Sequence, residues 1–155
     1  MSRVLSTAQK LSWKKGTPKK KYAFKGGDPT KAYIAAYKKV FGKYSREKSS
    51  NCDRSVALVL CLCGYKVPTG NEDQLKYKTK KLKVIVKKNA RPYNIARPGD
   101  AIIVRKKNGH RHSYFMGEDK ICLYEAQHHK TFFHRNRSAK KSKAKQPKVV
   151  IFREK

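Results

Sequence analysis

The sequence predicts an α+β protein in which helices come first and an antiparallel sheet follows. Before residue 64, apolar side chains recur at helical spacing after capping residues. After residue 82, short apolar runs rich in Val and Ile are separated by turns that contain Gly, Pro or Asn. The chain has 155 residues, which is about one domain, so both parts are expected to share one hydrophobic core.

Residues 1–27 are rich in lysine and are predicted to form a basic N-terminal arm. Within this arm, the apolar spacing predicts a short helix around Val4–Leu11, against which Trp13 would dock. The remainder of the chain, 28–155, is predicted to be a single folded domain.

The first helix of this domain is predicted over 29–41. Asp28 can cap the free backbone N–H groups, and Pro29 suits the first helical position. Tyr33 and Tyr37 then recur at helical spacing, with lysines covering the opposite face. A glycine after Phe41 is a typical helix end.

The second helix is predicted over 52–63, between capping residues at 49–51 and Gly64. Its residues 56–63 are apolar on every side, which is typical of a helix in the interior of a fold. Valine and leucine also suit a buried strand, which is the alternative. The cap before the run and the glycine after it favour the helix.

The remaining apolar runs predict an antiparallel sheet. Turn residues such as Pro98-Gly99 and Asn108-Gly109 separate them. The segment 130–147 is basic, contains no acidic residue and is predicted to be an exposed loop. The predicted strands are 83–87, 101–104, 112–116, 121–126 and 148–153.

The charge of the chain predicts an anionic partner. Lys and Arg number 40 against 10 Asp and Glu, a formal net charge of +30. Nucleic acid, a membrane surface and an anionic cell-wall polymer all fit, and binding to any of them should weaken as salt rises.

No apolar run reaches the roughly 18 residues of a membrane span. The first ten residues lack the apolar core of a Sec-type signal, so a cytoplasmic location is expected.

One of the four cysteines is placed to be a nucleophile. Cys52 lies in the first turn of the predicted interior helix, where free N–H groups and the helix dipole favour a thiolate. Cys61 and Cys63 lie at the apolar end, where neutral thiols are expected, and Cys122 lies in a predicted strand. No CxxC pair occurs, and the histidines 128, 129 and 134 lack acidic or cysteine neighbours, so neither metal nor other cofactor is expected.

Two histidines are candidates for a base that serves this thiol. His110 and His112 are two apart at the start of a predicted strand, so their side chains would point to the same sheet face. Glu125 and Gln127, again two apart on the next strand, are candidates to orient the imidazole. The alternative is that Glu125 offsets nearby lysines and that both histidines are solvated turn residues.

Four motifs follow one another in a recognisable order. They are residues 51–56 on a helix, 97–103 around a Pro-Gly-Asp turn, 109–117 with both histidines, and 124–126. This order resembles the NlpC-like and CHAP-like cell-wall cysteine peptidases, which have papain-like folds with a central buried helix on an antiparallel sheet or partial barrel. The resemblance covers 29–155. It departs from the family at Asn51, where an Asp is usual, and in the spacing from histidine to glycine.

The resemblance implies a set of catalytic residues that act on an amide bond. They are Cys52 as nucleophile, His112 as general base with His110 as alternative, Glu125 as the third residue with Gln127 as alternative, and Tyr44 as an upstream tyrosine. The implied substrate is a peptide of peptidoglycan, in a wall whose anionic polymers would attract the lysines. The absence of a signal fits a phage-encoded enzyme, released from the cytoplasm or carried in the virion.

A second hypothesis needs no catalysis. The protein would be a nucleic-acid-binding or virion structural protein, or a papain-like fold without activity, with the Lys-rich arm and the 130–147 loop lying on phosphate. Tyr22, Phe24, Phe132 and Phe133 stand among basic residues and could stack on bases. The two hypotheses differ in one distance, because the hydrolase requires Cys52 Sγ within about 4 Å of an imidazole nitrogen of His112 or His110.

Overall fold

Three helices precede a six-stranded antiparallel sheet in the computed structural model, which describes residues 2–12, 30–44, 52–65, 81–126 and 133–155. The α+β class predicted from the sequence is therefore confirmed. The helices are α1 (Arg3–Leu11), α2 (Lys31–Phe41) and α3 (Cys52–Leu62), and a single helical turn, α4 (Pro92–Ile95), follows the first strand.

Local capping sets where the first two helices begin. Ser2 Oγ accepts a hydrogen bond from the Leu5 N–H at 3.0 Å, and Thr30 Oγ1 accepts one from the Tyr33 N–H at 3.1 Å. Helix α2 therefore begins after Thr30, and the predicted cap at Asp28 lies outside the described residues.

The strands form one open sheet in which the last strand lies in the interior. The order is β1-β6-β2-β3-β4-β5, and every pairing is antiparallel. Within the described residues, β1 and β5 are therefore the two edges of this sheet. The strands are β1 (Leu82–Ala90), β2 (Ala101–Arg105), β3 (Arg111–Met116), β4 (Leu123–Glu125), β5 (His134–Asn136) and β6 (Gln146–Glu154).

The two faces of the sheet bury different cores. The helix face carries Ile103 and Phe115, which pack in one apolar cluster with α3 residues such as Leu58. The outer face carries Val104 and Tyr114, which belong to a second cluster. Successive residues of a strand point to opposite faces, so these two clusters assign every β2 and β3 side chain to one side of the sheet.

Helix α1 belongs to the core on the helix face, although the sequence placed it in a basic arm. Val4 and Leu11 are buried, and the Val4 N–H donates to Glu154 Oε1 at 3.0 Å. Gln9 Nε2 donates to Glu118 Oε2 at 2.7 Å. The predicted helix around 4–11 is thus present, and the expected packing of Trp13 lies outside the described residues.

The segment 130–147, predicted to be an exposed loop, contains regular structure between its exposed residues. Strand β5 and a 3₁₀ turn, Lys140–Lys143, form there, while 130–132 lie outside the described residues. Phe133 is fully buried, with its ring centroid 6.2 Å from that of Phe115 and 6.4 Å from that of Tyr124. Burial of this one aromatic ring holds the basic segment against the sheet.

Strand β4 is shorter than the predicted 121–126. A 3₁₀ turn over Glu118–Lys120 connects it to β3, and pairing to β3 begins only at Leu123. Asp119 and Lys120 have φ values of 52° and 59°, so the chain reverses here through two left-handed residues.

Candidate functional site

Cys52 lies at the start of α3, as predicted, but its surroundings do not favour a thiolate. The residue is 8% exposed, and its Sγ lies 3.9 Å from Asp53 Oδ1. Burial, with the nearby charge of Asp53, raises the pKa of Cys52 to about 11. The field of a helix N-terminus is typically worth about 0.3–1 kcal/mol, which is too little to reverse this shift. At neutral pH Cys52 is a protonated thiol.

The strand residue that meets this helix start is a serine. Ser113 Oγ donates a hydrogen bond to Asp53 Oδ1 at 3.2 Å. The polar groups of Ser113 partly offset the rise in the pKa of the Cys52 thiol. Ser113 pairs with Ile103 of the helix face. The side chain at this position can hold a hydrogen bond, and it cannot serve as a base at neutral pH.

His112 lies on the outer face of the sheet. It is the strand neighbour of Ser113, and it pairs with Val104 of the outer cluster. Its ring centroid is 5.5 Å from that of Tyr114, which also belongs to that cluster. His112 and Cys52 are both described residues, and no hydrogen bond joins them. The predicted contact between the thiol and this imidazole is therefore wrong, because the sheet separates the two side chains.

The predicted contact between His112 and Glu125 is present, and it belongs to a larger buried cluster. His112 Nε2 and Glu125 Oε1 are 2.7 Å apart. Lys141 Nζ donates to the same oxygen at 2.7 Å, and Asn136 Nδ2 donates to Oε2 at 2.7 Å. Asn136 belongs to β5 and Lys141 to the 3₁₀ turn Lys140–Lys143, so Glu125 connects this basic segment to the sheet.

Hydrogen bonds and positive charge from its neighbours explain why the buried Glu125 side chain is stable as an ionised carboxylate. The side chain of Glu125 is fully buried, which alone would raise its pKa. The hydrogen bond and charge of His112, together with Lys141, outweigh that effect and lower the pKa of Glu125 to about 2. The cluster stabilises an ionised carboxylate and offers no nucleophile.

The structure places two of the three remaining predicted site residues, His110 and Tyr44, in surroundings other than a catalytic site. His110 is exposed in the turn before β3, where its backbone N–H donates to Asn108 Oδ1 at 3.0 Å. Tyr44 packs edge-on against Tyr37 with ring centroids 5.6 Å apart, within the helix layer. Gln127 lies outside the described residues.

The other three cysteines form no disulfide and lie in structural surroundings. Cys63 Sγ is 3.4 Å from Thr7 Oγ1, and Cys122 Sγ is 3.0 Å from Glu118 Oε1. Cys61 is half-buried. Within the described ranges, no three His, Cys, Asp or Glu side chains are grouped so that they could hold a metal ion.

A row of cations crosses the helix face where α3 begins, and sequence reasoning did not find it. The register pairs Lys88 with Lys148, Lys148 with Arg105, and Arg105 with Arg111. Paired residues of neighbouring strands share a face, so four cationic side chains stand side by side on β1, β6, β2 and β3. We call these four residues the cationic row.

Most acidic side chains among the described residues form hydrogen bonds away from the cationic row. Apart from Asp119, each described carboxylate accepts a hydrogen bond from another part of the fold. Asp100, for example, accepts three hydrogen bonds from the Arg153 guanidinium, at 2.7, 3.0 and 3.1 Å. Among the described residues, no carboxylate pairs with Lys88, Lys148 or Arg105. No described carboxylate therefore compensates the positive charge of these three side chains.

Comparison with protein-family models, with curated proteins and with solved structures returned no match to this chain. None of the helices in the described ranges has the length and apolar character that a membrane crossing requires.

Proposed function

We propose that this protein binds nucleic acid through the cationic row on the helix face of its sheet. The observation that carries the proposal is the register itself, which brings Lys88, Lys148 and Arg105 together from strands distant in sequence. With strands about 4.8 Å apart, the row is about 14 Å wide, enough to contact several consecutive phosphates.

The energetics of the row favour a binding role over a structural one. Like charges directly opposite each other destabilise a sheet by roughly 0.2–1 kcal/mol per pair. Lys88 and Arg105 are exposed and Lys148 is half-buried, so the row is accessible to a large polyanion. A phosphate backbone would remove the repulsion and release its own counterions, which is the usual driving force for protein–nucleic acid association.

The position of the cysteine helix supports a papain-like arrangement used for binding. A buried helix that starts with Cys52 and packs on an antiparallel sheet matches the order that the sequence suggested. In this arrangement Ser113 faces the helix start, where a cysteine hydrolase needs an imidazole. Cell-wall peptidase activity therefore stays a prediction, and the geometry favours binding.

The experiment is a salt titration of binding to a labelled oligonucleotide by fluorescence anisotropy. The wild-type affinity should fall as salt rises, with a slope of log K against log salt of about −0.7 per phosphate contacted on a single strand. Changing Arg105→Gln and Lys148→Gln together should reduce the magnitude of this slope by about 1.4. Lys38→Gln with Lys39→Gln removes the same charge from an exposed part of α2 and is the matched control.

Two results would contradict the proposal. One is a wild-type protein that shows no salt-dependent binding to any oligonucleotide. The other is an equal loss of slope in the row variant and in the α2 control, which would mean that net charge alone accounts for binding. Thermal unfolding of the row variant should be unchanged or shifted upward, because the substitutions remove repulsion between paired cations.

A further inference from the structure

Two exposed valines adjoin the cationic row on the same face. Val84 is 46% exposed and Val86 is 51% exposed, although both lie on the face that buries the main core. Their paired neighbours on β6, Phe152 and Val150, are buried. Among the described elements of the sheet, helix α3 packs mainly over β3 and β4, away from the edge strand β1.

The valines and the row form one continuous surface on β1. Val84, Val86 and Lys88 are successive residues of the helix face, so their side chains are about 6.6–6.8 Å apart along the strand. An apolar strip therefore runs along the edge strand and ends at the row of positive charge, which runs across the strands. A ligand that covers both needs apolar groups and negative charges at short, regular intervals.

We propose that this surface binds single-stranded nucleic acid, with bases lying on Val84 and Val86 and phosphates on the cationic row. This inference rests on the proposed function and names its substrate class. In a duplex the faces of the bases are stacked inside the helix, so an apolar strip would find only backbone and base edges. In a single strand the base faces are free to pack on apolar side chains while the backbone follows a basic groove.

The test compares three ligands of equal length by anisotropy at one salt concentration. They are a thymidine oligonucleotide, an abasic strand with the same phosphates and no bases, and a duplex. The wild type should bind the thymidine strand several-fold more tightly than the abasic strand, because only the former supplies apolar surface to the valines. It should also prefer the thymidine strand to the duplex.

The variant Val84→Thr with Val86→Thr removes apolar surface and keeps β-branched, strand-compatible side chains. It should bind the thymidine strand about threefold or more weakly, with abasic binding unchanged. Ile121→Thr is the matched control, because Ile121 is 56% exposed and lies in the turn before β4. Thermal unfolding confirms that the variants keep their fold.

The outcomes separate this inference from the proposed function. Equal affinity for thymidine and abasic strands, tighter binding to the duplex, or a valine variant that behaves as wild type would overturn the inference alone. Failure of the wild type to bind any of the three ligands would overturn the proposed function as well. Tighter binding of an acidic peptide than of the thymidine strand would show that the valine strip takes a protein segment and would also overturn the inference.

Discussion

The hydroxyl of Ser113 donates a hydrogen bond to Asp53 Oδ1 at 3.2 Å, so β3 meets the start of α3 through a serine. The preceding residue, His112, lies on the other side of the sheet, with its Nε2 2.7 Å from Glu125. A shift of one position along a strand moves a side chain from one face to the other. The chemistry at Cys52 is therefore that of a buried neutral thiol beside a carboxylate.

Alkylation of Cys52 should be slow at neutral pH. With a pKa raised to about 11, only about one thiol in ten thousand is ionised at pH 7. Labelling by iodoacetamide, mapped by mass spectrometry, should accelerate about tenfold per pH unit and level off near pH 11. Cys61, the half-buried thiol, should react first. Rapid and selective labelling of Cys52 at pH 7 would contradict the structure.

Purified cell walls should remain intact when the protein is added. Because the imidazole of His112 lies on the face of the sheet opposite Cys52, wall turbidity is expected to stay constant for the wild type and for Cys52→Ala alike. The opposite result would be clearing by the wild type that both Cys52→Ala and His112→Ala abolish. That result would support the hydrolase hypothesis. It would require a rearrangement that brings the side chains of Cys52 and His112 to one face of the sheet.

Glu125 should make stability fall at acidic pH. Its pKa is lower in the folded protein, about 2, than the ordinary value of 4.5, so the unfolded chain binds the proton more readily. The stabilisation is present above pH 4.5 and is lost as the pH falls towards 2, in total about 3 kcal/mol. Urea unfolding of wild type and Glu125→Gln at several pH values measures this difference.

The same titration has an internal control. Asp119→Asn changes an exposed carboxylate at a φ of 52°, a conformation that asparagine tolerates well, and should leave the pH dependence as in wild type. Glu118, whose pKa is also lowered, is present in all three proteins and cancels from the comparison. If Glu125→Gln and wild type lose stability in parallel below pH 4.5, the buried cluster is not the cause.

Gly117→Ala should destabilise the turn between β3 and β4. A Cβ at this position would lie 2.2 Å from Cys122 Sγ and 2.7 Å from the Cys122 carbonyl oxygen. The backbone must shift to accommodate it, at an expected cost of about 1–3 kcal/mol in the free energy of unfolding. Adding Cys122→Ala should recover part of this loss, since it removes the sulfur but not the carbonyl. An unchanged melting temperature for the single variant would refute the close approach.

Elements with strong local signals could be predicted from the sequence. The interior helix follows from a continuous apolar run between capping residues and Gly64, and it occupies Cys52–Leu62 as expected within one residue. The β-hairpin of β2 and β3 follows from the glycine turn at 109. These features depend on neighbours in sequence, where propensity and turn chemistry act directly.

The face of β3 could not be predicted, and the candidate site depended on it. Residues 112–116 are all buried, so the strand has no alternation of polar and apolar side chains that would indicate which residues face the helices. Strand β5 directly follows the buried Phe133, but it lies in a segment whose many cations are typical of a loop. The cationic row depends on register between strands far apart in the chain, which no local pattern encodes.

The interior position of β6 has a consequence for how the protein is made. This strand is the last of the six to leave the ribosome, yet it separates β1 from β2 and pairs with both. Until β6 arrives, β1 lacks its only pairing partner among the described strands, and the carboxylate of Glu154 cannot hydrogen-bond to the first helix. Assembly of the sheet must wait until β6 has been synthesised, a topology that slows folding and prolongs the exposure of unpaired strand edges.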